Sequence, residues 1–235
     1  EQIRSLVARG ADGLMLIGHD RDPSIYRFLE TQGVPTLVTW SHSRESGLPS
    51  VGFDNRKSMR ALTEQVLKFG HARLGVISAE TAGNDRARLR LAGIKDAAAA
   101  VGIADDDLAI IETVYEIDAG ARAFETLMAA AKPPTAVLCG NDVLAAGALR
   151  QARQMGLEVP RDVSITGFDD IEIARIVVPA LTTVHVPHRE MGATAARQLV
   201  EMVENASPGT TMELEARICL RGSLGPPPAD PAAGH

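Results

Sequence analysis

A chain of 235 residues, 45% of them apolar, can bury one large core or two small ones without help from metals or disulfides. Its net charge of −6, with no basic run longer than a few residues, argues against a surface that holds a phosphate backbone, which requires clustered Lys and Arg. The two cysteines, Cys139 and Cys219, lack metal-type spacing and read as buried, reduced thiols of a cytoplasmic protein. No signal peptide or membrane span is visible.

The chain opens in a helix through Ile3, Leu6 and Val7 that ends at Gly10, so further residues are expected before Glu1. Gly13 to Ile17 reads as a buried strand, Ser24 to Thr31 as a helix stopped by Gly33, and Val34 to Thr39 as a strand closing on Trp40 and the polar loop SHSRESGLPS. A short strand, Val51 to Phe53, precedes a helix capped by Asp54 or Asn55 and ended by Gly70-His71, where a partial positive charge on the histidine suits the helix end. Leu74 to Ser78 is a strand. A helix capped by Asn84 or Asp85 then carries Leu91, Ile94, Ala98 and Val101 on one face. Asp107 to Thr113 is a strand, and Asp118 to Ala130 a helix.

The stretch from Pro133 to Asp170 is the most legible. An apolar run, Thr135 to Cys139, is broken by Gly140 and Asn141, with Asn141 placed to cap the helix that Asp142 opens. Gly156 supplies that helix's left-handed end, Pro160 bars its continuation, and Val163 to Phe168 forms a second strand before Asp169 and Asp170. A strand–helix–strand unit implies parallel strands with a right-handed crossover, and ligands of such sheets bind beyond the strands' C-terminal ends. After Asp170 come a loop, a strand at Leu181 to His185, an amphipathic helix from His188 to Asn205, a strand from Met212 to Leu220, and a tail of disordered composition. The β-α alternation throughout gives an α/β class, and the late helix and strand suggest that the chain crosses back to an earlier lobe.

No phosphate-loop, dinucleotide, nucleophile-elbow or zincin motif occurs, and the six histidines are scattered. The chain is therefore expected not to be an enzyme and to need no cofactor or metal. Arg86 and Arg90 lie one helical turn apart near a helix N-terminus, where like charges and the dipole disfavour them by roughly 0.2–0.5 kcal/mol or more. The capped, amphipathic helix does not obviously need the Arg90 guanidinium. Arg90 is therefore expected to point into a cleft where Asp169 or a polar ligand supplies acceptors.

The motifs ADGLML, VPTLVTW, VGFDN, GHARLGVIS, RLRLAG, PPTAVLCGNDVLAAGAL, GLEVPRDVSITGFDD, PALTTVHVP, MGATAA and LRGS, in this order over nearly the whole chain, resemble the effector-binding domain of LacI-type transcriptional regulators. The resemblance implies two Rossmann-like lobes with parallel sheets, joined by crossover strands in the type I periplasmic-binding-protein manner. By that analogy residues 1–53 and 187–207 form the first lobe, truncated at its N-terminus, and 54–180 with a last strand in 208–222 form the second. Residues 181–186 would cross between the lobes, and 223–235 would be the tail. A small polar effector, a sugar or sugar acid, would bind between the lobes of a cytoplasmic homodimer. Operator DNA would be held by a helix-turn-helix absent from this chain, and the full-length protein would be a repressor. By the same analogy the effector ligands are Arg90, Asp169, Tyr115, which would stack on the effector, Asn141 and Asp54. Arg86 stands where some members have a small hydroxyl residue, which suggests a different or more acidic effector. Trp40, the only tryptophan, ends a predicted strand and is a candidate cleft residue. The alternative within this fold is an extracytoplasmic sugar-binding protein of a transporter.

Overall fold

The computed structural model describes residues 1–43 and 47–229; part of the predicted polar loop and the end of the predicted tail lie outside them. In chain order the elements are α1 (Gln2–Ala8), β1 (Leu14–Ile17), α2 (Pro23–Thr31), β2 (Thr36–Thr39), β3 (Ser50–Gly52), α3 (Asn55–Lys68) and β4 (Leu74–Ala79). There follow α4 (Asp85–Ala100), β5 (Ala109–Thr113), α5 (Ile117–Met128), β6 (Ala136–Cys139), α6 (Asp142–Gln154) and β7 (Ser164–Thr166). The last are α7 (Ile173–Ile176), β8 (Thr183–His185), α8 (His188–Asn205), β9 (Met212–Glu213) and β10 (Arg217–Cys219). They form two compact units: Glu1–Asp54 with Ala82–Arg86 and Pro187–Ala216, and Asn55–Thr81 with Ala87–Val186 and Arg217–His235.

The first unit is a parallel sheet in the order β1-β2-β3-β9. Leu14, Leu16, Leu29 and Val38 form its core, against which Ile3, Val7 and Ile25 pack. Asp22 opens α2 as N-cap, its carboxylate accepting from Ser24 N–H at 2.8 Å, and Pro23 takes the first helical position, where its missing N–H costs nothing. One expectation fails here. β1 is not buried on both faces: Leu14 and Leu16 point into the core, but Met15 and Ile17 are 41% and 54% exposed. Among the described residues only one face of β1 is covered.

The second unit is a parallel sheet in the order β5-β4-β6-β7, with β8 and β10 pairing antiparallel beside it. β4 and β6 lie inside and are buried at every position, as continuous apolar strands of a parallel sheet should be. Asn141 caps α6 as expected, its side-chain oxygen accepting from Leu144 N–H at 2.9 Å. Helices α5 and α6 approach closely because glycines meet at the contact. A Cβ on Gly120 would stand 2.4 Å from the Leu144 carbonyl oxygen, and one on Gly147 would stand 2.0 Å from that of Ile117.

Three features of the C-terminal part differ from the sequence reading. The strand expected from Met212 to Leu220 is two short strands in different units. β9 adds to the first sheet beside β3, while β10 pairs with β8 in the second. Residues 208–216 accordingly lie with the first unit, not the second. Nor does the tail begin at 223. Ser223 and Leu224 are buried; Ser223 Oγ donates to Ile165 O at 2.5 Å and accepts from Thr182 N–H at 2.8 Å.

His71 explains much of this packing. It is buried, with Nε2 donating to Gly225 O at 2.8 Å and Nδ1 2.9 Å from Thr135 Oγ1. It is not a cation at a helix end, since burial lowers its pKa below the ordinary 6.5 despite the bond to Gly225. A base whose folded pKa is depressed stabilises the fold above its unfolded pKa, and that stabilisation is lost as pH falls through 6.5 toward the folded value. Replacing His71 with Ala should cost about 2–3 kcal/mol, two buried hydrogen bonds plus their unsatisfied partners. It should also raise amide exchange at Ser223–Gly225, and the melting midpoint of the variant should fall less on acidification below pH 6.5 than that of the parent. Equal acid sensitivity in the two proteins would remove His71 from this role.

Candidate functional site

In the second unit the chemistry gathers at the C-terminal ends of β6 and β7, where a parallel sheet leaves its polar turns. After β7 the chain makes a sharp turn: Asp169 and Asp170 both take positive φ, 108° and 56°. Two consecutive non-glycine residues there cost on the order of 1–3 kcal/mol each, so surrounding bonds must hold the turn. Asp169 N–H donates to Val184 O at 2.9 Å, and Ile171 N–H donates to the Asp142 carboxylate at 2.9 Å. Asp170, almost wholly buried, accepts from Arg221 at 2.6 Å, His185 at 2.9 Å and Arg175 at 3.2 Å. Burial alone would raise its pKa, but the hydrogen bonds from Arg221, His185 and Arg175 outweigh that and hold the carboxyl below the usual range.

Asp142, fully buried at the start of α6, has no cationic partner of this kind among the described residues. Its carboxylate accepts from Thr183 Oγ1 at 2.6 Å and from Ile171 N–H. Burial, opposed by these two bonds and reinforced by Asp169 and Asp170, pushes its pKa up to about 7. A Cβ on Gly167 would lie 2.3 Å from its Oδ1, which is why the strand ends on glycine there. Cys139 at the end of β6 is equally enclosed; burial raises its thiol pKa and leaves it unreactive.

Arg90, on α4, reaches this turn. The residue is 4% exposed, and its guanidinium lies over the Phe168 ring, 3.8 Å from the centroid. Nε donates to Asn55 Oδ1 at 2.8 Å, Nη1 to Gly140 O at 2.7 Å, and Nη2 to Asp169 Oδ1 at 3.2 Å. The acceptors are spread over α3, the turn after β6 and the turn after β7, so one side chain ties three parts of the unit. The sequence reading took the guanidinium as dispensable to the fold; the unit uses it. Three of its five N–H groups point at protein acceptors, leaving one on each terminal nitrogen.

The other sequence candidates fall in different places. Asn141 follows the Gly140 carbonyl that Arg90 bonds. Tyr115 follows β5 at the same end of the sheet and is 40% exposed. Asp54, Arg86 and Trp40 belong to the first unit. Arg86 does not share the partners of Arg90. Its Nη1 donates to Asp85 Oδ1 at 3.0 Å and to Ile17 O at 3.1 Å. Gly18, with φ of 69°, makes room for this pair, since a Cβ there would fall 1.9 Å from Arg86 Nη1. Asp85 Oδ2 also accepts from His19 N–H at 2.9 Å. The His19 ring is neutral-leaning: burial lowers its pKa in spite of the Asp85 charge. Trp40 has φ of 68°, and its ring lies 5.0 Å from that of His188, tilted by 45°.

Asn55, Phe168, Asp142 and Thr183 were missed by the sequence reading. Asn55 and Phe168 adjoin the chosen Asp54 and Asp169, so the GFDN and GFDD strings did contain them. Nothing local marks Thr183. Among the described residues no group of three or more His, Cys, Asp and Glu side chains could hold a metal ion, and no helix is long and apolar enough to cross a membrane.

The family profile described as "Periplasmic binding protein-like domain" matches residues 63–224. The HTH-type transcriptional repressor CytR of Escherichia coli K12 is 33% identical over 223 residues, 93% of this chain, and the chain spans 64% of that repressor's length. A LacI-family transcriptional regulator from Burkholderia phymatum superposes with TM-score 0.84 at 29% identity, covering 95% of this chain and 81% of that one. A LacI-family regulator from Enterococcus faecium, solved with bound ribose, superposes with TM-score 0.84 at 26% identity, covering 96% and 83%. Two parallel sheets, the profile match over most of the chain and these relatives agree: the chain belongs to the periplasmic binding protein-like domain family, in the form carried by LacI-family regulators.

Proposed function

We propose that the chain is the effector-sensing and dimerising part of a cytoplasmic LacI-type repressor. A small polar molecule, a sugar or sugar acid, is read at the Arg90–Asp169 edge, with Asn141 and Tyr115 at the same end of the second unit's sheet. Arg90 carries this reading. A buried, fully oriented guanidinium with one N–H left on each terminal nitrogen is pre-organised for hydroxyl recognition, because no further side-chain entropy is lost on binding. The ribose held by the Enterococcus faecium relative supports the same ligand class. Effector binding biases a two-state equilibrium, and operator DNA is read by segments outside this chain, whose net charge of −6 suits it poorly to phosphates. Ile176 and Val178, 75% and 90% exposed, support self-association.

A thermal-shift screen of the chain against sugars, sugar acids and purines tests the proposal. A true effector at a hundred times its Kd should add about 2.7 kcal/mol, or about 5–10 °C. The shift should be absent in the Asp169→Asn variant. No response from any class would sink the effector reading, and sedimentation of monomer alone at every concentration would sink the dimer.

A further inference from the structure

We propose that the first unit carries a second small-molecule site, for an amphipathic amine: a cation borne on an apolar body of one or two rings. The site is a cavity of about 490 Å³ between α2, the start of β2, the chain entering β3, and α8. That volume lies within the usual range of small-molecule sites, roughly 300–1,000 Å³. Much of its wall is continuous with the first unit's core. Leu29 is a buried member of that core, and Tyr26, Val34 and Leu48 pack against it. Every residue lining the cavity belongs to the first unit, whereas Arg90 and Asp169 belong to the second.

The lining selects the ligand. Its two hydroxyls already donate to backbone: Tyr26 Oη to His19 O, and Thr36 Oγ1 to Val34 O at 3.0 Å. A sugar entering from water would exchange most of its hydrogen bonds for apolar contacts, which is unfavourable. An apolar body meets no such cost, and the Tyr26 ring and the adaptable Met202 thioether suit a flat aromatic surface. Glu30 is the only charged residue among those lining the cavity, and it is exposed. An amine gains a charge partner there, while an acid of the same shape meets a like charge. Occupancy also reaches along the unit. The Tyr26 hydroxyl holds the His19 carbonyl, and His19 N–H donates to Asp85 at 2.9 Å. A ligand that fixes the Tyr26 ring therefore steadies the turn after β1.

The test is calorimetric titration of the chain with matched pairs: tryptamine against indole-3-propionate, and phenethylamine against 3-phenylpropionate. At least one amine should bind saturably, about tenfold or more tighter than its acid. Glu30→Gln, a substitution at an exposed position, should abolish that preference. Val34→Phe should weaken the amine by filling part of the cavity. At saturation the His19 amide resonance should move, since Tyr26 bonds that residue. Four results would overturn the proposal: no saturable amine binding, an acid that binds as tightly, binding indifferent to both substitutions, or an unmoved His19 amide. If neither amine binds but Val34→Phe weakens self-association in sedimentation, the cavity belongs to a second copy of the chain and the proposal falls. None of these probes is a polyhydroxyl compound, so failure here leaves the effector reading standing.

Discussion

Replacing Gly147 with alanine is expected to destabilise the chain by about 2–3 kcal/mol, although intrinsic helix propensity alone predicts a gain of about 1 kcal/mol. The two effects oppose each other, and geometry decides the sign. A Cβ at Gly147 would meet the Ile117 carbonyl oxygen at 2.0 Å and the Ala121 nitrogen at 2.8 Å, backbone atoms that cannot move aside without separating α5 from α6. Phe124, Leu127, Leu144 and Ala148, which share one core, would lose contact in that separation. Gly147→Val should be worse, with a fall in melting midpoint of roughly 10 °C or more. Gly192 is the internal control. It too is helical, within α8, but a Cβ there meets nothing within 4 Å. Gly192→Ala should therefore keep the propensity gain, about 0.5–1 kcal/mol. If Gly147→Ala were also stabilising, the close approach of α5 and α6 would be wrong.

Removing the Arg90 side chain is expected to cost about 3–5 kcal/mol, the usual range for breaking a buried ion pair by deleting one partner. Arg90→Ala removes its hydrogen bonds to the Asp169 carboxylate, the Gly140 carbonyl and the Asn55 amide oxygen, and the cation stacked on Phe168. Much of the cost is the loss of the cation that offsets the Asp169 charge at a buried position. Arg90→Ala combined with Asp169→Asn should therefore recover about 1–2 kcal/mol relative to Arg90→Ala alone. Arg90→Lys should fall between, since an ammonium can reach one acceptor but cannot fork to three. Chemical denaturation of the four proteins checks this. A midpoint unchanged by Arg90→Ala would mean that the guanidinium serves only a ligand and carries none of the fold.

The residues by themselves determined what depends on near neighbours. The β-α order follows from hydrophobic period, and the strand–helix–strand unit from Thr135 to Phe168 was legible because its stops, Gly140, Gly156 and Pro160, act within a residue or two of where they stand. The Asn141 cap was legible for the same reason: its bond to Leu144 N–H spans one helical turn. The order of motifs determined the family and pointed to Arg90 and Asp169 as partners.

Tertiary structure decided whatever depends on a distant neighbour. Met212 to Leu220 is one apolar-polar run in sequence, yet its two halves pair with strands of different units, and pairing is fixed by which edge is free. Met15 and Ile17 are exposed because, among the described residues, only one face of β1 is packed, although GLMLI has the composition of a buried strand. His71 and Ser223 look like loop residues until each is set against a distant stretch of chain, where Gly225 and Ile165 satisfy them. Arg90 shows the limit most plainly. Its acceptors lie 35, 50 and 79 residues away, so no local window reveals that its charge is already matched. Composition tells that an arginine must find acceptors; only the folded chain chooses which, and so decides what is left for a ligand.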